Sequence, residues 1–371
     1  MIYPLIPAQQ HYSWGSSTLI PHHLGIENPK NLPLAEIWFG THPRGTSVIE
    51  HRGEKIPLSD AINRDPRYWT GDEGEEVPFL LKILGIGSPL SIQCHPSAYQ
   101  AREGYERENK AGIPLESSRR TYRDTRGKPE IICALTPFTA LCGFVPLAEA
   151  ILRLPMLDHV EDHRSLLKAV WSLSPEELAR CTNTLHNIHT PWAELVRSLE
   201  RLYPGDPGIL APCYLNLVQL EPGEALFLDA GVLHAYMAGL GVELMGNSDN
   251  VIRGGLTEKY IDREELQRIV HNSSSDVPSV DSVELSSGHR IYPVPVEEFL
   301  LHRFSEGVSI CKDRDILEIG CVTTGEVSLT EDGGDTFTFT KGSAFVIPAS
   351  CSSYEISTDG ELYVACAGGR T

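Results

Sequence analysis

The chain has 371 residues and a formal net charge of −19, so it can form two or three domains, and its surface should repel nucleic acid and anionic membranes. It contains no run of about eighteen apolar residues, which excludes a transmembrane helix. The first residues lack the basic and apolar regions of a secretory signal, and the nine cysteines include no CxxC pair. We therefore expect a cytoplasmic protein with free thiols.

The N-terminal part of the chain alternates short apolar runs with Gly and Pro, which is typical of β-strands joined by turns. Residues 35–40 and 77–84 are predicted strands, and Lys82 lies inside the otherwise apolar second run. A lysine in this position either reaches the edge of a sheet or serves a binding site. We favour the binding site, because a buried unpaired charge is costly.

The next predicted strand, residues 88–96, has one polar face. Alternation places Ser91, Gln93 and His95 on one side of this strand and apolar residues on the other, as expected where a strand lines a pocket. Glu130 opens a further predicted strand directly after a Lys-Pro pair. These side chains are candidate metal ligands, although a QxH pattern needs partners from elsewhere in the chain.

Apolar residues take a helical spacing between residues 146 and 203. We therefore predict a helical insertion over residues 146–205. Strands return near residue 214, and a linker rich in Ser, Asp and Pro is predicted over residues 271–288. The histidines of the insertion show no ligand spacing and are interpreted as surface residues: His159, His163, His186 and His189.

Residues 221–259 combine turns, short apolar strands and a dense set of charges, which is typical of a small β-barrel with a site inside it. His234 follows the second turn of this segment, and Glu243, Asp249 and Arg253 lie further along it. Buried charge is costly unless it is paired or used. This segment is therefore where we expect the chemistry.

The C-terminal part contains a weak repeat of this barrel segment. Residues 341–349 resemble residues 222–230, which indicates a second barrel of the same type. Aligning the two segments places Ser353 where His234 stands. We therefore predict that the second barrel holds no metal.

The pocket-facing candidates from these strands suit a divalent metal, because they offer two imidazoles, a carboxylate and an amide oxygen. The four candidate ligands are Gln93, His95, Glu130 and His234. Zinc is the natural choice, and scattered ligands of mixed type fit a catalytic site better than a structural one. In so acidic a chain, inward-facing cations point to an anionic substrate such as a sugar phosphate. These cations are Lys82, Lys128, Arg253 and Lys259.

These segments resemble the type I phosphomannose isomerases, which are zinc enzymes of the cupin superfamily. The resemblance runs from about Pro4 to Asp262. It is densest in EIWFGTHP (36–43), the segment 79–96 that includes SPLSIQCHP, KPEIICAL (128–135), FTALCGF (138–144) and the long segment 214–262.

The resemblance implies a mainly β fold, with two cupin-type jelly-roll β domains and a helical insertion domain. The domains expected are a catalytic jelly roll formed by residues 1–145 and 206–270, a helical insertion at 146–205, and a metal-free jelly roll at 271–371. The reaction implied is the aldose–ketose interconversion of mannose 6-phosphate and fructose 6-phosphate through a cis-enediol. The expected protein is a monomer that binds a phosphosugar and neither nucleic acid nor membrane.

The resemblance also assigns roles to residues. The four candidate ligands match the ligands of one Zn²⁺ in the family. The residues expected in catalysis are Arg253, Lys128 and Glu243, with either Lys128 or Glu243 handling the proton. The residues expected to bind substrate are Lys82, Tyr236, Asp249 and Lys259, together with Ser91 from the polar face of its predicted strand.

Two positions depart from the family pattern. The family often has histidine immediately before Lys-Pro-Glu, where this chain has Gly127. It usually has proline where this chain has Glu258, and a carboxylate there would weaken the attraction of Lys259 for a phosphate.

Two other functions remain open at the level of the sequence. Two histidines and a carboxylate can also form the facial triad of an Fe²⁺ dioxygenase, in which case turnover would depend on oxygen. A non-catalytic cupin that binds sugar phosphates would keep the pocket without turnover. Incubation with mannose 6-phosphate separates these alternatives.

Overall fold

The computed structural model describes residues 1–51, 53–71 and 76–368. As predicted, the fold is mainly β, and four of the ten α-helices in the described residues lie within residues 146–205. The strands form three sheets of nine, eleven and four strands. Among the described helices, none is both long and apolar enough to cross a membrane.

The strands as far as residue 255 are β1 Tyr3–Ile6, β2 Ala8–Gln10, β3 Glu36–Phe39, β4 Val48–His51, β5 Glu54–Pro57, β6 Phe79–Ile86, β7 Ile92–Cys94, β8 Glu130–Ala134, β9 Phe138–Phe144, β10 Leu215–Leu220, β11 Ala225–Leu228, β12 His234–Gly246 and β13 Ile252–Gly255. The later strands are β14 Ser279–Val280, β15 Val283–Ser286, β16 His289–Tyr292, β17 Leu300–Phe304, β18 Gly307–Cys311, β19 Glu318–Thr324, β20 Glu326–Glu331, β21 Thr336–Thr340, β22 Ala344–Ile347, β23 Tyr354–Thr358 and β24 Glu361–Cys366.

The helices are α1 Leu19–Leu24, α2 Leu58–Arg64, α3 Pro66–Thr70, α4 Ala98–Lys110, α5 Leu147–Arg153, α6 His163–Trp171, α7 Pro175–Leu185, α8 Pro191–Leu202, α9 Ala211–Tyr214 and α10 Arg263–Ile269. Short 3-10 helices span Pro155–Leu157 and Pro207–Leu210.

The long strand β12 is the centre of the eleven-stranded sheet. Its first half pairs with β7 and β9, and its second half pairs with β6 and β8. The change of partners falls near Gly239, which has φ +121°. A Cβ at this position would lie 2.8 Å from the Pro137 carbonyl oxygen and from the Phe138 ring, so glycine is required. This strand therefore brings residues from four neighbours around one cavity.

The nine-stranded sheet joins the two ends of the chain, because β1 pairs with β22 and with β4. Its order is β15-β16-β17-β24-β19-β22-β1-β4-β5. Strands from within residues 1–145 thus extend a sheet that is otherwise built after residue 271. One hydrophobic core cluster contains side chains from both sheets, among them Leu81 and Ile319. Sheet membership therefore crosses the predicted domain division at residue 271.

Two sequence predictions are wrong in detail. The predicted linker over residues 271–288 contains β14, which pairs with β11, and β15, which pairs with β16. His163, predicted at the surface, is buried, and its Nε2 atom lies 2.9 Å from the Val145 carbonyl oxygen. The ring also packs on Phe144. It thus anchors α6 to the end of β9, a tertiary contact that helical spacing cannot reveal.

Two buried polar groups and one partly buried group are linked in the nine-stranded sheet. His289 Nε2 is 2.9 Å from His302 Nδ1, and His302 Nε2 is 3.5 Å from Cys366 Sγ. Burial, with Arg314 nearby, lowers the pKa of His302 to about 3 and that of His289 to about 4. Both rings are therefore neutral in the folded protein at neutral pH.

The two neutral histidines, His289 and His302, predict that acid destabilises the fold. Between pH 7 and 5 the unfolded chain takes up protons on these histidines and the folded chain does not. The free energy of unfolding therefore falls as the pH is lowered, by about 2 kcal/mol over this range for one fully buried histidine. Denaturant unfolding as a function of pH measures the slope. His302→Gln should show a shallower slope, and the exposed control His186→Gln should not. Equal slopes in all three proteins would contradict the prediction.

Candidate metal centre and active-site cavity

Three potential metal ligands converge beneath the eleven-stranded sheet. His95, Glu130 and His234 each offer one ligand atom, and these atoms lie within 4.8 Å of one another. All three side chains are at most 1% exposed. His95 Nε2, Glu130 Oε2 and His234 Nε2 are buried without a hydrogen-bond partner among the described residues. Buried polar atoms without partners are costly, and an ion that all three bind would remove that cost.

Hydrogen bonds to the backbone fix both imidazoles in the form that binds a metal. His95 Nδ1 donates to the Asn250 carbonyl oxygen at 2.8 Å, and His234 Nδ1 donates to the Val232 carbonyl oxygen at 3.0 Å. Each Nε2 therefore keeps its lone pair and faces Glu130. Burial, together with Lys128, lowers the pKa of His95 to about 4, so its ring is neutral as a ligand requires.

The fourth predicted ligand, Gln93, lies beside these groups on β7. It pairs with His234 of β12 on one side and with Arg253 of β13 on the other. Its side chain lines a cavity of about 440 Å³, which Glu130 also lines. Two imidazoles, one carboxylate and an amide oxygen fit zinc, and the set includes no thiolate of the kind structural zinc sites use.

Two lysine–carboxylate pairs lie inside the cavity. Lys128 Nζ is 2.7 Å from Glu130 Oε1, and Lys82 Nζ is 3.0 Å from Glu243 Oε2. Strand register brings the second pair together, because Trp38, Lys82 and Glu243 are direct cross-strand neighbours on β3, β6 and β12. The buried lysines are thus held by carboxylates rather than reaching the edge of a sheet.

Burial and these pairings set the protonation of the cavity. Burial opposes the charge on Lys82, but Glu243, Glu36 and Glu130 outweigh it and raise the Lys82 pKa. Burial likewise opposes ionisation of Glu130, yet Lys128 and His95 hold its pKa well below the usual value. Burial raises the pKa of Glu243 despite Lys82. Glu130 is thus a carboxylate ready for a cation, and Glu243 takes up a proton more readily than an exposed glutamate.

The mouth of the cavity is positive. Neither the Arg253 guanidinium nor the Lys259 ammonium has a carboxylate partner within the described part of the chain. Burial and the neighbouring Arg123 lower the Arg253 pKa, and burial with Arg253, Arg44 and Arg123 lowers that of Lys259. Groups that repel one another in this way form a site for an anion.

Asp249 is the acidic group at this mouth. Its Oδ1 lies 3.1 Å from Arg44 Nη1 and 3.6 Å from His42 Nε2. Glu258 makes no ion pair with Lys259 among the described residues, and both side chains are exposed, so solvent weakens the effect of this carboxylate on Lys259.

The structure brings the sequence-derived candidates to one place. Ten of the twelve line the cavity: Lys82, Ser91, Gln93, Lys128, Glu130, Tyr236, Glu243, Asp249, Arg253 and Lys259. The other two, His95 and His234, lie directly against Glu130. The Tyr236 hydroxyl is buried, and no hydrogen-bond partner falls within the described residues. Which of these residues act on substrate remains a proposal.

Other cavity residues were not singled out as site residues by the sequence. Trp38 Nε1 donates to Glu36 Oε2, and both side chains line the cavity. His42, which precedes a proline, is also buried against the cavity and faces Asp249. The shared face of Glu36 and Trp38 on β3 was a usable signal, but nothing in the sequence links His42 to Asp249.

Gly127 lies in a tight place beside α4. A Cβ added there would be 3.0 Å from the Ala98 backbone nitrogen. A side chain at position 127 therefore requires the preceding loop to shift.

A buried His-Glu-His set at the side of a polar cavity, inside a barrel of antiparallel strands, defines a metal-dependent enzyme of the cupin class. The model of the type I phosphomannose isomerase catalytic domain matches residues 2–147. The chain is 34% identical to the mannose-6-phosphate isomerase of Escherichia coli (strain K12) over 384 aligned positions, which cover 96% of this chain and 97% of that protein. It is 32% identical to the human mannose-6-phosphate isomerase, with 81% of each chain covered.

Solved structures agree. The crystal structure of mannose 6-phosphate isomerase from Salmonella typhimurium bound to fructose 6-phosphate and zinc matches with a TM-score of 0.91, 32% identity and 99% of each chain covered. The chain belongs to the type I mannose-6-phosphate isomerase family.

Proposed function

We propose that this chain interconverts mannose 6-phosphate and fructose 6-phosphate with one zinc ion held by Gln93, His95, Glu130 and His234. The observation that carries the proposal is the convergence of three buried, unpaired ligand atoms beside a cavity with a cationic mouth. The family to which the chain belongs supports the same reaction. When bound, zinc supplies positive charge that polarises a sugar oxygen and stabilises negative charge on it.

The proton moves between C2 and C1 of the open-chain sugar, so the site needs a group that can take and return it. Lys128 and Glu243 are the candidates, because both are buried and both line the cavity. Lys128 is held 2.7 Å from the proposed ligand Glu130, which places it next to the metal. Glu243 is paired with Lys82, and its raised pKa favours proton uptake.

The phosphate binds at the mouth of the cavity in this proposal. Arg253 and Lys259 supply positive charge there without a carboxylate competitor among the described residues. Arg253 lies beside a proposed ligand, because it pairs with Gln93 across β7 and β13. It therefore also orients the sugar between the phosphate site and the ligands.

The interior of the cavity binds the sugar hydroxyls. Ser91, Tyr236 and Asp249 line it, and the buried Tyr236 hydroxyl, which lies near Glu243, can donate a hydrogen bond to the sugar. Lys82 holds Glu243 in place and adds positive charge.

We also propose a cellular location and an assembly state for this chain. A cytoplasmic location is supported by the cysteines, which are all free and with one exception buried. The net charge of −19 supports a protein that does not bind nucleic acid. We propose that the chain acts as a monomer.

The test is to incubate the zinc-loaded protein with mannose 6-phosphate without oxygen and to assay fructose 6-phosphate. We expect product, one zinc per chain, and far slower conversion of unphosphorylated mannose, because the cations at the mouth would have no partner. Oxygen-dependent turnover would favour the dioxygenase alternative. Binding without turnover would favour the non-catalytic one.

A further inference from the structure

Two side chains that do not line the active-site cavity, Asp124 and Asn250, join the loop before Lys128 to the segment before Arg253. Asn250 is fully buried. Each of the two side chains bonds to the backbone of the other's segment, so we call the pair the Asp124–Asn250 clasp.

The Asn250 side chain holds the backbone of residues 123–126. Its Oδ1 accepts from the Arg123 amide at 2.7 Å and from the Asp124 amide at 3.3 Å. Its Nδ2 lies 3.0 Å from the Asp124 carbonyl oxygen and 2.9 Å from the Arg126 carbonyl oxygen. This loop leads directly into Lys128 and Glu130, so Asn250 fixes the approach to a proposed base and a proposed ligand.

The Asp124 carboxylate holds the opposite segment. Its Oδ2 accepts from the Asp249 amide at 3.0 Å, and its Oδ1 accepts from Asn250 Nδ2 at 3.0 Å. The Ser248 hydroxyl lies 2.9 Å from Oδ1 and 3.0 Å from Oδ2. The Arg126 amide also donates to Oδ1, at 2.9 Å. Both carboxylate oxygens are therefore used as acceptors, which an amide cannot reproduce.

One backbone carbonyl, that of Asn250, connects the Asp124–Asn250 clasp to the metal centre. The Asn250 carbonyl oxygen accepts the Nδ1 proton of His95 at 2.8 Å. That bond keeps the His95 Nε2 lone pair facing Glu130. Groups that fix the second nitrogen of a ligand histidine strengthen metal binding. The position of the carbonyl depends on the residues that hold Asn250 in place, and Asp124 is their centre.

We infer that Asp124 is a positioning residue for zinc binding, acting through Asn250 on His95 and through the Asp249 amide on the mouth of the cavity. This inference rests on the proposed zinc site. It adds that a side chain outside the cavity lining sets the affinity for the ion.

The test is Asp124→Asn, measured by competition for zinc with a chromophoric chelator. Asparagine offers one acceptor oxygen where two are used, so at least one donor loses its partner and the Asn250 carbonyl shifts. We expect zinc affinity to fall about 10- to 100-fold. The visible spectrum of the Co²⁺-loaded protein should also change, because the orientation of His95 changes.

Asp162→Asn is the matched control. Asp162 likewise accepts from a backbone amide, that of Ser165, and from a side-chain amide, that of Asn272, but in the helical insertion. Its variant should keep wild-type zinc affinity and the wild-type cobalt spectrum. Equal losses in both variants, or none in Asp124→Asn, would overturn the inference.

A second variant and the wild-type protein provide two further tests. If Asp124→Asn does not fold, Ser248→Ala decides, because it removes the hydroxyl that donates to the Asp124 carboxylate and accepts from the Asn250 amide, and it should lower zinc affinity by a smaller factor. Unchanged affinity in that variant would overturn the inference. Wild-type protein that holds zinc but converts no mannose 6-phosphate would contradict the proposed reaction, whereas a difference between Asp124→Asn and Asp162→Asn would still support the clasp.

Discussion

Replacement of Arg253 by alanine should lower kcat/KM for mannose 6-phosphate by about 10²- to 10³-fold, because this arginine is proposed both to bind the phosphate and to orient the sugar. Arg253 lies at the mouth of the cavity without a carboxylate partner in the described ranges. Its charge is therefore available to the substrate rather than neutralised by a carboxylate of the described residues. Zinc content should stay near that of the wild type, because the proposed ligands come from other residues.

The measurement pairs steady-state kinetics with metal analysis of the same sample. Arg180→Ala is a control with the same charge change, on an exposed helix of the insertion, and it should behave as wild type. Because Arg253 is the strand neighbour of Gln93, loss of zinc together with activity would show that the arginine acts structurally. Arg253→Lys should recover only part of the activity, since lysine keeps the charge but not the planar fork.

Strand alternation was a usable signal for part of the candidate site. A two-residue period predicts Gln93 and His95 on one face, and in the structure His95 lies against Glu130 while Gln93 lines the cavity that Glu130 also lines. The apolar run around Lys82 was informative for a similar reason. A charge that a strand carries into the interior needs a partner, and Glu243 supplies it from the adjacent strand.

The features that the sequence does not predict depend on contacts between segments that are far apart along the chain. Pairing of β1 with β22 joins the first and last parts of the chain in one sheet, and no local pattern encodes a partner that far away. The clasp is hidden for the same reason, because Asp124 and Asn250 lie in loops without periodicity. His42 precedes a proline, which is typical of a turn, and only the fold shows that it faces Asp249.

The buried charges of the cavity lining favour a bound metal ion. Glu36, Glu130 and Glu243 are buried near only two buried lysines, Lys82 and Lys128, in the described cavity lining. A divalent cation converts this excess of negative charge into a net positive site, which a phosphosugar requires. The cations at the mouth would otherwise face an acidic interior.

Replacement of Lys128 by methionine should lower kcat by about 10²- to 10⁴-fold if this lysine transfers the proton. Methionine has a similar length and no charge, so it preserves packing while removing the base. KM for mannose 6-phosphate should change little, because the proposed phosphate site is at Arg253 and Lys259. Exchange of the C2 hydrogen with solvent deuterium should fall in parallel with kcat.

The split between kcat and KM distinguishes the two possible roles of this lysine. If Lys128 instead binds the phosphate, the methionine variant should have a raised KM. Its deuterium exchange at saturating substrate should then stay near the wild-type rate. Glu243 would then be the group that moves the proton, and Glu243→Gln would lose exchange in its place. Lys110→Met, at the end of α4 on the surface, removes the same charge and should change neither constant. Because Lys128 also contacts Glu130 at 2.7 Å, zinc content must be measured in the same samples, and only a loss of exchange with zinc retained supports the assignment of Lys128 as the base.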